Sequence, residues 1–344
     1  MINEIGSEFW SNIQVNTEVA APVWSTWPGS QRSFLSGRTA LSAILDDILK
    51  TRPCRSAYLP AYCCHTMIEP FIAYGIEVAF YPVFSENGQM MQKIDANKTC
   101  DIVLCMDYFG FAGQTQKLPE NAILIRDLTH SLFSIPGEAD YLFASFRKWG
   151  AVAGAAIACK NGEWCTEAPI RINESFISLR RRGYAYKSRY MAGEMEDKQG
   201  FLGLFAEAEE LLDRDYCDYA ADEGSLNAAA YLQSCVQTRR ENARYLLDGL
   251  KSIDSVEPIF SSVGETDAPL FVPILTKNRE KLKKYLIQNK IYCPVHWPRT
   301  GLHDVDGKTK KLYEEELSLI CDQRYGETDM KRIIDTIRRR MIQC

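Results

Sequence analysis

Twelve cysteines are scattered along the 344 residues without one Cys-x-x-Cys pair, so neither a zinc site nor a dithiol redox motif is signalled. Reduced thiols are the expectation. No apolar run is long enough to cross a bilayer, the longest near-apolar stretch being residues 151–159. The start, Met-Ile-Asn-Glu-Ile-Gly-Ser-Glu, has neither a basic n-region nor an apolar h-region, which points to a cytoplasmic chain with no membrane partner. Positive charge is also in deficit. Forty Lys and Arg against 45 Asp and Glu leave a net charge of −5, which argues against a general affinity for nucleic acid. Internal repeats and low-complexity segments are missing too.

What is present is ordinary soluble-protein material, 46% hydrophobic and 25% charged, long enough to bury a sizeable core in a large and a smaller domain. Residues 1–33 carry Trp10, Trp24, Trp27 and Pro28 but no sustained period. They read as an arm whose aromatics anchor on their own domain or on a neighbouring subunit. Next, Ser36-Gly37-Arg38-Thr39 runs into Leu41, Ile44, Leu45, Ile48 and Leu49 at helical spacing. Ser36 suits an N-cap, and Gly37 lets a ligand approach the backbone, so the exposed N–H groups of this helix start could cradle an anion such as a phosphate. A plain capped helix is the bland alternative.

A strand at Ser56–Pro60, a loop with Tyr62, Cys63, Cys64 and His65, a helix ending near Gly75 and a strand at residues 76–83 form a strand–helix–strand unit and predict a parallel sheet. Residues 102–106, 122–125, 141–144 and 152–159 add four strands. Beyond Trp164 the sequence turns charged and helical, with helices predicted at residues 207–215 and 225–251. Arg180, Arg181, Arg182, Lys187 and Arg189 make a basic patch, read as a solvated face that could meet a diphosphate-bearing substrate or a partner subunit. Strands near 270–275 and 291–295, with helices from Arg279, Lys310 and Glu327, complete a smaller α+β part.

The stretch from Asp127 to Lys148 organises the rest. Asp127 ends one apolar strand, and Lys148 follows another by three residues in Ser145-Phe-Arg-Lys148, so a carboxylate and an amine would meet at one edge of a buried sheet. That pairing suits pyridoxal 5′-phosphate: the amine forms a Schiff base with the aldehyde, and the acid keeps the pyridine nitrogen protonated. Taken singly, a strand-end Asp and a surface Lys are ordinarily structural.

In order, Ser36-Gly37-Arg38-Thr39-Ala40-Leu41, Leu59-Pro60-Ala61-Tyr62, Asp127-Leu-Thr-His130 and Ser145-Phe-Arg-Lys148 resemble the fold-type I pyridoxal phosphate enzymes, and within them the DegT/DnrJ family of sugar aminotransferases. The C-terminal part joins through Arg239-Arg240-Glu241-Asn242 and His296-Trp297-Pro298. The resemblance implies a three-layer αβα large domain on a mainly parallel sheet, over residues 34–222, and a smaller α+β domain over residues 223–344. It implies that Lys148, Asp127 and His130 are catalytic, His130 tuning the ring hydroxyl or supporting Asp127. Ser36, Gly37, Arg38, Thr39 and Ser145 would hold the phosphate, while Tyr62 and Cys64 would lie beside the ring. An amino-acid donor, a small-molecule keto acceptor such as a nucleotide-linked keto sugar, and a homodimer complete the implication; no metal is implied. The serine and lysine stand three apart where family members often have five, and Ala151-Val-Ala-Gly154 replaces the usual Glu-Gly-Gly. A lyase or dehydratase on the same fold and a non-catalytic regulatory relative stay open as alternatives.

Overall fold

The computed structural model describes residues 3–10, 21–113 and 117–342. In chain order the first elements are β1 (Ile5–Gly6), β2 (Ser30–Phe34), α1 (Gly37–Thr51), β3 (Ser56–Pro60), α2 (His65–Ala73) and β4 (Glu77–Tyr81). Then come β5 (Val83–Glu86), β6 (Gln89–Gln92), β7 (Ile102–Met106), β8 (Ile123–Asp127), β9 (Tyr141–Ser145) and β10 (Ala156–Lys160). Three helices follow, α3 (Glu174–Ala192), α4 (Gln199–Arg214) and α5 (Glu223–Ala230), and α6 (Val236–Leu250) after a 3-10 turn. The C-terminal part holds β11 (Glu257–Pro258), β12 (Val272–Leu275), α7 (Arg279–Gln288), β13 (Ile291–Tyr292), α8 (Gly307–Glu315), β14 (Glu316–Leu319) and α9 (Glu327–Ile342). These elements fall into two compact units. One takes the residues up to Glu4 with Glu8–Pro53 and Asp140–Ser234; the other takes Ile5–Ser7, Cys54–Ala139 and the chain from Cys235 onward.

In the second unit β3 pairs in parallel with β4 and β7, and β7 with β8, the register setting Met106 opposite Asp127 and Pro60 opposite Tyr81. Residues 102–106 are buried throughout, which is why that strand reads as an unbroken apolar run rather than an alternation. β5 and β6 form an antiparallel hairpin that the sequence reading missed, although its signal was there: Asn87-Gly88, both at positive φ, supply the turn. The later residues of this unit form the antiparallel sheet β11-β12-β14 and the parallel pair of β1 with β13, with α6 packed on α9. The single helix expected over 225–251 is interrupted by the 3-10 turn Tyr231–Cys235, where the Ser234 hydroxyl donates to the Tyr231 carbonyl and competes with the α ladder.

In the first unit β10 pairs antiparallel with both β9 and β2. The sequence reading gave this strand no direction, and its antiparallel course is an exception to the mainly parallel pairing. Residues 146–155 are too few for the helical crossover that a parallel connection needs. Strand β2 also lies inside the arm that showed no period. The arm's Trp24 ring lies tilted against Phe146, with centroids 4.8 Å apart. Glu4 accepts from the Tyr190 hydroxyl, and the Trp10 ring lies beneath Lys187, so the first residues anchor on α3.

Helices α3 and α4 pack through Phe176, Ile177, Phe201 and Phe205; a Cβ at Gly183 would come within 2.6 Å of the Phe205 ring, so only glycine lets the two helices approach this closely. This packing corrects the reading of the basic patch as a solvated face. Arg180 and Lys187 are buried, Arg180 pairing with Glu8 and Glu209 and Lys187 donating to the Glu8 carbonyl. Arg181, Arg182 and Arg189 remain exposed.

Asp47 is the fixed anion of the first unit. Fully buried on α1, it accepts from the Tyr141 hydroxyl (2.8 Å), Lys160 Nζ (2.7 Å) and the backbone N–H groups of Cys165 and Thr166. Burial alone would raise its pKa, but these four donors hold it below the usual carboxylate value. A depressed carboxylate stabilises the fold above its unfolded pKa and loses that contribution as pH falls through the folded value. Asp47→Ala, which strands Lys160 with little access to water, is expected to cost about 3 kcal/mol in urea unfolding at neutral pH. Asp47→Asn should flatten the loss of stability below pH 3.8; an acid limb as steep as the wild type's would refute the assignment.

Candidate active site

Each unit carries its own group of the residues singled out in the sequence. In the first unit Ser36 caps α1, its side chain accepting from the Thr39 amide at 3.1 Å, as the Ser-Gly start predicted. Helix geometry leaves the first-turn amides outside the α ladder and the positive end of the dipole beside them. Gly37 faces the end of β9, where a Cβ would stand 3.4 Å from Ser145 Cβ, so the helix start and Ser145 are brought together. Lys148 lies half-buried in the turn after β9, closed by the Trp149 N–H donating to Phe146 O at 3.0 Å. The Arg38 side chain does not join this group. It pairs with Asp213 at 2.7 Å and lies over Tyr216, leaving only its backbone at the helix start.

The turn bearing Lys148 is tied down by its neighbour. Arg147 pairs with Glu209 on α4 and lies over the Phe176 ring, and Arg180 reaches the same carboxylate at 3.3 Å. Burial pushes the Glu209 carboxyl up, yet the two guanidinium groups hold it below its usual value. Glu209 thus stays charged and fixes the backbone on which the lysine is mounted.

In the second unit the loops after β3, β7 and β8 leave the same edge of the parallel sheet. Asp127 is the last residue of β8, buried, its Oδ1 accepting the Thr129 amide at 2.7 Å. The loops lie close enough for their charges to interact: burial chiefly, with Cys64 and Asp127 adding, pushes the Cys63 thiol well up. His130 is buried in an aromatic chamber, its ring stacked with Trp297 at 5.1 Å and lying 5.4 Å from Phe109 and 5.5 Å from His296. Phe109 holds a left-handed φ of 59°, an uncommon state for an aromatic residue, followed by Gly110 at φ 82°.

Tyr62 is fully enclosed by the rings of Tyr108, Trp297 and Tyr313, which makes it part of the wall rather than an exposed stacking surface. Cys64, half-buried, is the N-cap position of α2 and accepts from the Thr66 hydroxyl at 3.1 Å. The loop between them is pinned through its carbonyls. Tyr313 donates to Ala61 O at 2.9 Å, and His303 Nε2 donates to Cys63 O at 3.0 Å while its Nδ1 accepts the Thr300 amide. His303 is therefore neutral, its pKa lowered by burial.

Sequence reasoning placed residues 107–110 at a strand end but gave Phe109 no role, and it missed Tyr313, Glu316 and Ser318, which touch the site from strands and helices far along the chain. Among the described residues no group of three or more His, Cys, Asp or Glu could hold a metal, and no helix is long and apolar enough to cross a membrane.

No protein-family model and no curated protein matches the sequence. Solved structures do. Helicobacter pylori PseC, an aminotransferase involved in the biosynthesis of pseudoaminic acid, is similar at TM-score 0.67 and 12% identity, over 99% of this chain and 100% of that one. A protein from Streptococcus pneumoniae described as a sugar aminotransferase, solved in its PLP form, gives TM-score 0.63 and 12% identity over 99% of each chain. A DegT DnrJ EryC1 StrS aminotransferase from Brucella abortus gives 0.61 and 16%, over 90% of this chain and 86% of that one. At these identities the likeness speaks for architecture, and it bears out the expectation of fold class: the chain has the α/β fold of the DegT/DnrJ-type aminotransferases, with a mainly parallel sheet flanked by helices.

Proposed function

We propose that the protein is a pyridoxal phosphate-dependent aminotransferase that moves an amino group from an amino-acid donor to a keto sugar, the nucleotide-linked form being the first acceptor to assay. The observation that carries this reading is Lys148 three residues after Ser145, whose Cβ lies beside the start of α1. The fold shared with aminotransferases of sugar metabolism supports it. Residues 34–222 would be the cofactor-binding domain and residues 223–344 the smaller domain.

The residues of each unit have chemistry that suits one part of the cofactor. The capped start of α1 at Ser36, with the backbone of Gly37 to Thr39, suits the phosphate, and Ser145 beside it adds a hydroxyl. When bound, pyridoxal phosphate supplies an electrophilic aldehyde and a ring that accepts electrons. Lys148 would hold it covalently through Nζ, and the same amine, mounted on the turn after β9, would be the group to move a proton at the donor's Cα. Asp127 would orient the ring by accepting its N–H, and its burial would keep such a bond out of water. His130, stacked on Trp297, offers a ring-wall nitrogen for the cofactor hydroxyl. Tyr62 and Cys64 shape the loop beside it.

Borohydride reduction after reconstitution with pyridoxal phosphate should fix the label on the peptide containing Lys148. A label on another lysine, or none, would sink the assignment. Asp127→Asn should still bind cofactor but transfer amino groups on the order of 100-fold more slowly, since a neutral amide cannot keep the ring nitrogen protonated; unchanged single-turnover rates would remove Asp127 from that role. The active unit is taken to be a cytoplasmic homodimer, as is usual for this fold. Sedimentation at assay concentration checks it, a fully active monomer being the contrary result.

A further inference from the structure

Glu316, Ser318 and His296 close a hydrogen-bonded ring in the core of the second unit. Glu316 is the residue after α8 and the first of β14, fully buried. Its Oε2 accepts the backbone N–H of His296 at 2.7 Å, and its Oε1 accepts the Ser318 hydroxyl. Ser318 Oγ lies 2.9 Å from Nδ1 of the His296 imidazole. Ser318 is itself fully buried and His296 nearly so. The imidazole stands edge-to-face with Phe109 and His130, on the wall of the aromatic chamber.

Ser318 has one hydroxyl hydrogen and two neighbours that compete for it. While Glu316 is a carboxylate the hydrogen points to Glu316, so Ser318 Oγ must accept from His296, which then carries its proton on Nδ1 and a lone pair on Nε2. Once Glu316 is protonated on Oε1 it becomes the donor, the Ser318 hydroxyl turns toward Nδ1, and the imidazole carries its proton on Nε2. We propose that Glu316, Ser318 and His296 form a proton relay in which a proton accepted at His296 Nε2 is matched by one delivered to Glu316, so that the imidazole changes tautomer without becoming a buried cation. The step balances: one proton binds at Nε2, the Nδ1 proton passes to Ser318 Oγ, the Ser318 hydrogen passes to Glu316 Oε1, and the charge of the group goes from −1 to zero.

The surroundings favour this course. An imidazolium among aromatic rings would be poorly solvated, whereas neutralising a buried carboxylate relieves its desolvation. Burial pushes the Glu316 carboxyl up to about 8, against the hydrogen bonds from Ser318 and the His296 amide and the charge of Arg279 on α7. Tyr62 is the other titratable group close enough to lower it; Cys293, just past β13, feels its charge and is itself pushed up to about 12, hence neutral. Only the use of the relay rests on the reading as an aminotransferase: the keto acceptor loses its oxygen as water, and that oxygen needs a proton donor.

The test is a pH titration of the full chain labelled with 15N-histidine, followed by long-range proton–nitrogen correlation. There are four histidines, and His296→Asn assigns the signal. The expected result is a neutral His296 whose proton moves from Nδ1 to Nε2 as pH falls through about 8. Ser318→Ala and Glu316→Gln should abolish the movement, and Ser318→Thr, which keeps the hydroxyl, should retain it. A single tautomer between about pH 6 and 10, an imidazolium in that interval, or a transition that survives Ser318→Ala would overturn the relay. Because neither cofactor nor substrate is present, an intact transition in a protein without amino transfer refutes only the functional reading, and a missing transition in an active enzyme refutes only the relay.

Discussion

Parallel pairing is the constraint on which the second unit depends. Strands that run the same way release their chains at the same edge, so the loops after β3, β7 and β8 have no choice but to gather there. Asp127 gains burial from its place at the end of β8, and the Cys63 thiol feels the Asp127 charge because Pro60 and Asp127 end strands of one sheet. The aromatic chamber around His130 follows from the same geometry: Phe109 arrives from the loop after β7, while the later residues of the unit contribute His296 and Trp297.

The first unit solves a different problem, that of holding charge inside a small antiparallel sheet and a helix pair. Asp47 collects donors from β9, β10 and the segment after β10, so one carboxylate ties together pieces that the chain visits at widely separate times. Glu209 does the same between Arg147 and Arg180. In both cases an acid that burial alone would neutralise is kept ionised by cations that are themselves largely out of water. The turn carrying Lys148 gains its rigidity from the second of these anchors.

How much of this was legible in the sequence depended on how local the signal was. The start of α1 at Ser36 and Gly37, the strand ends at Asp127 and Ser145, and the apolar run of β7 are written in consecutive residues, and pattern reading reached them. The Asn87-Gly88 hairpin was equally local but lies just past the strand read at 76–83, in a stretch that was given no element. The antiparallel turn back at β10 depended on connection length rather than on composition. Burial of Arg180 and Lys187 could not be seen, because a run of cations looks the same whether its partners lie in water or, like Glu8 and Glu209, are supplied from elsewhere in the chain. Glu316 and Ser318 were invisible for the same reason: what matters is their meeting with His296, some twenty residues before them.

In the loop of residues 61–64 the carbonyls of Ala61, Tyr62 and Cys63 are already taken by Tyr313, Tyr108 and His303. A segment held in this way has little freedom left to surrender, so association against it would carry little ordering entropy of its own. Calorimetrically, the heat-capacity change of such an event reports the apolar area withdrawn from water and not a coupled folding transition. Affinity differences among ligands that touch this wall therefore arise from shape and hydrogen bonding, and evolution could retune them by exchanging single wall residues without having to redesign a moving part.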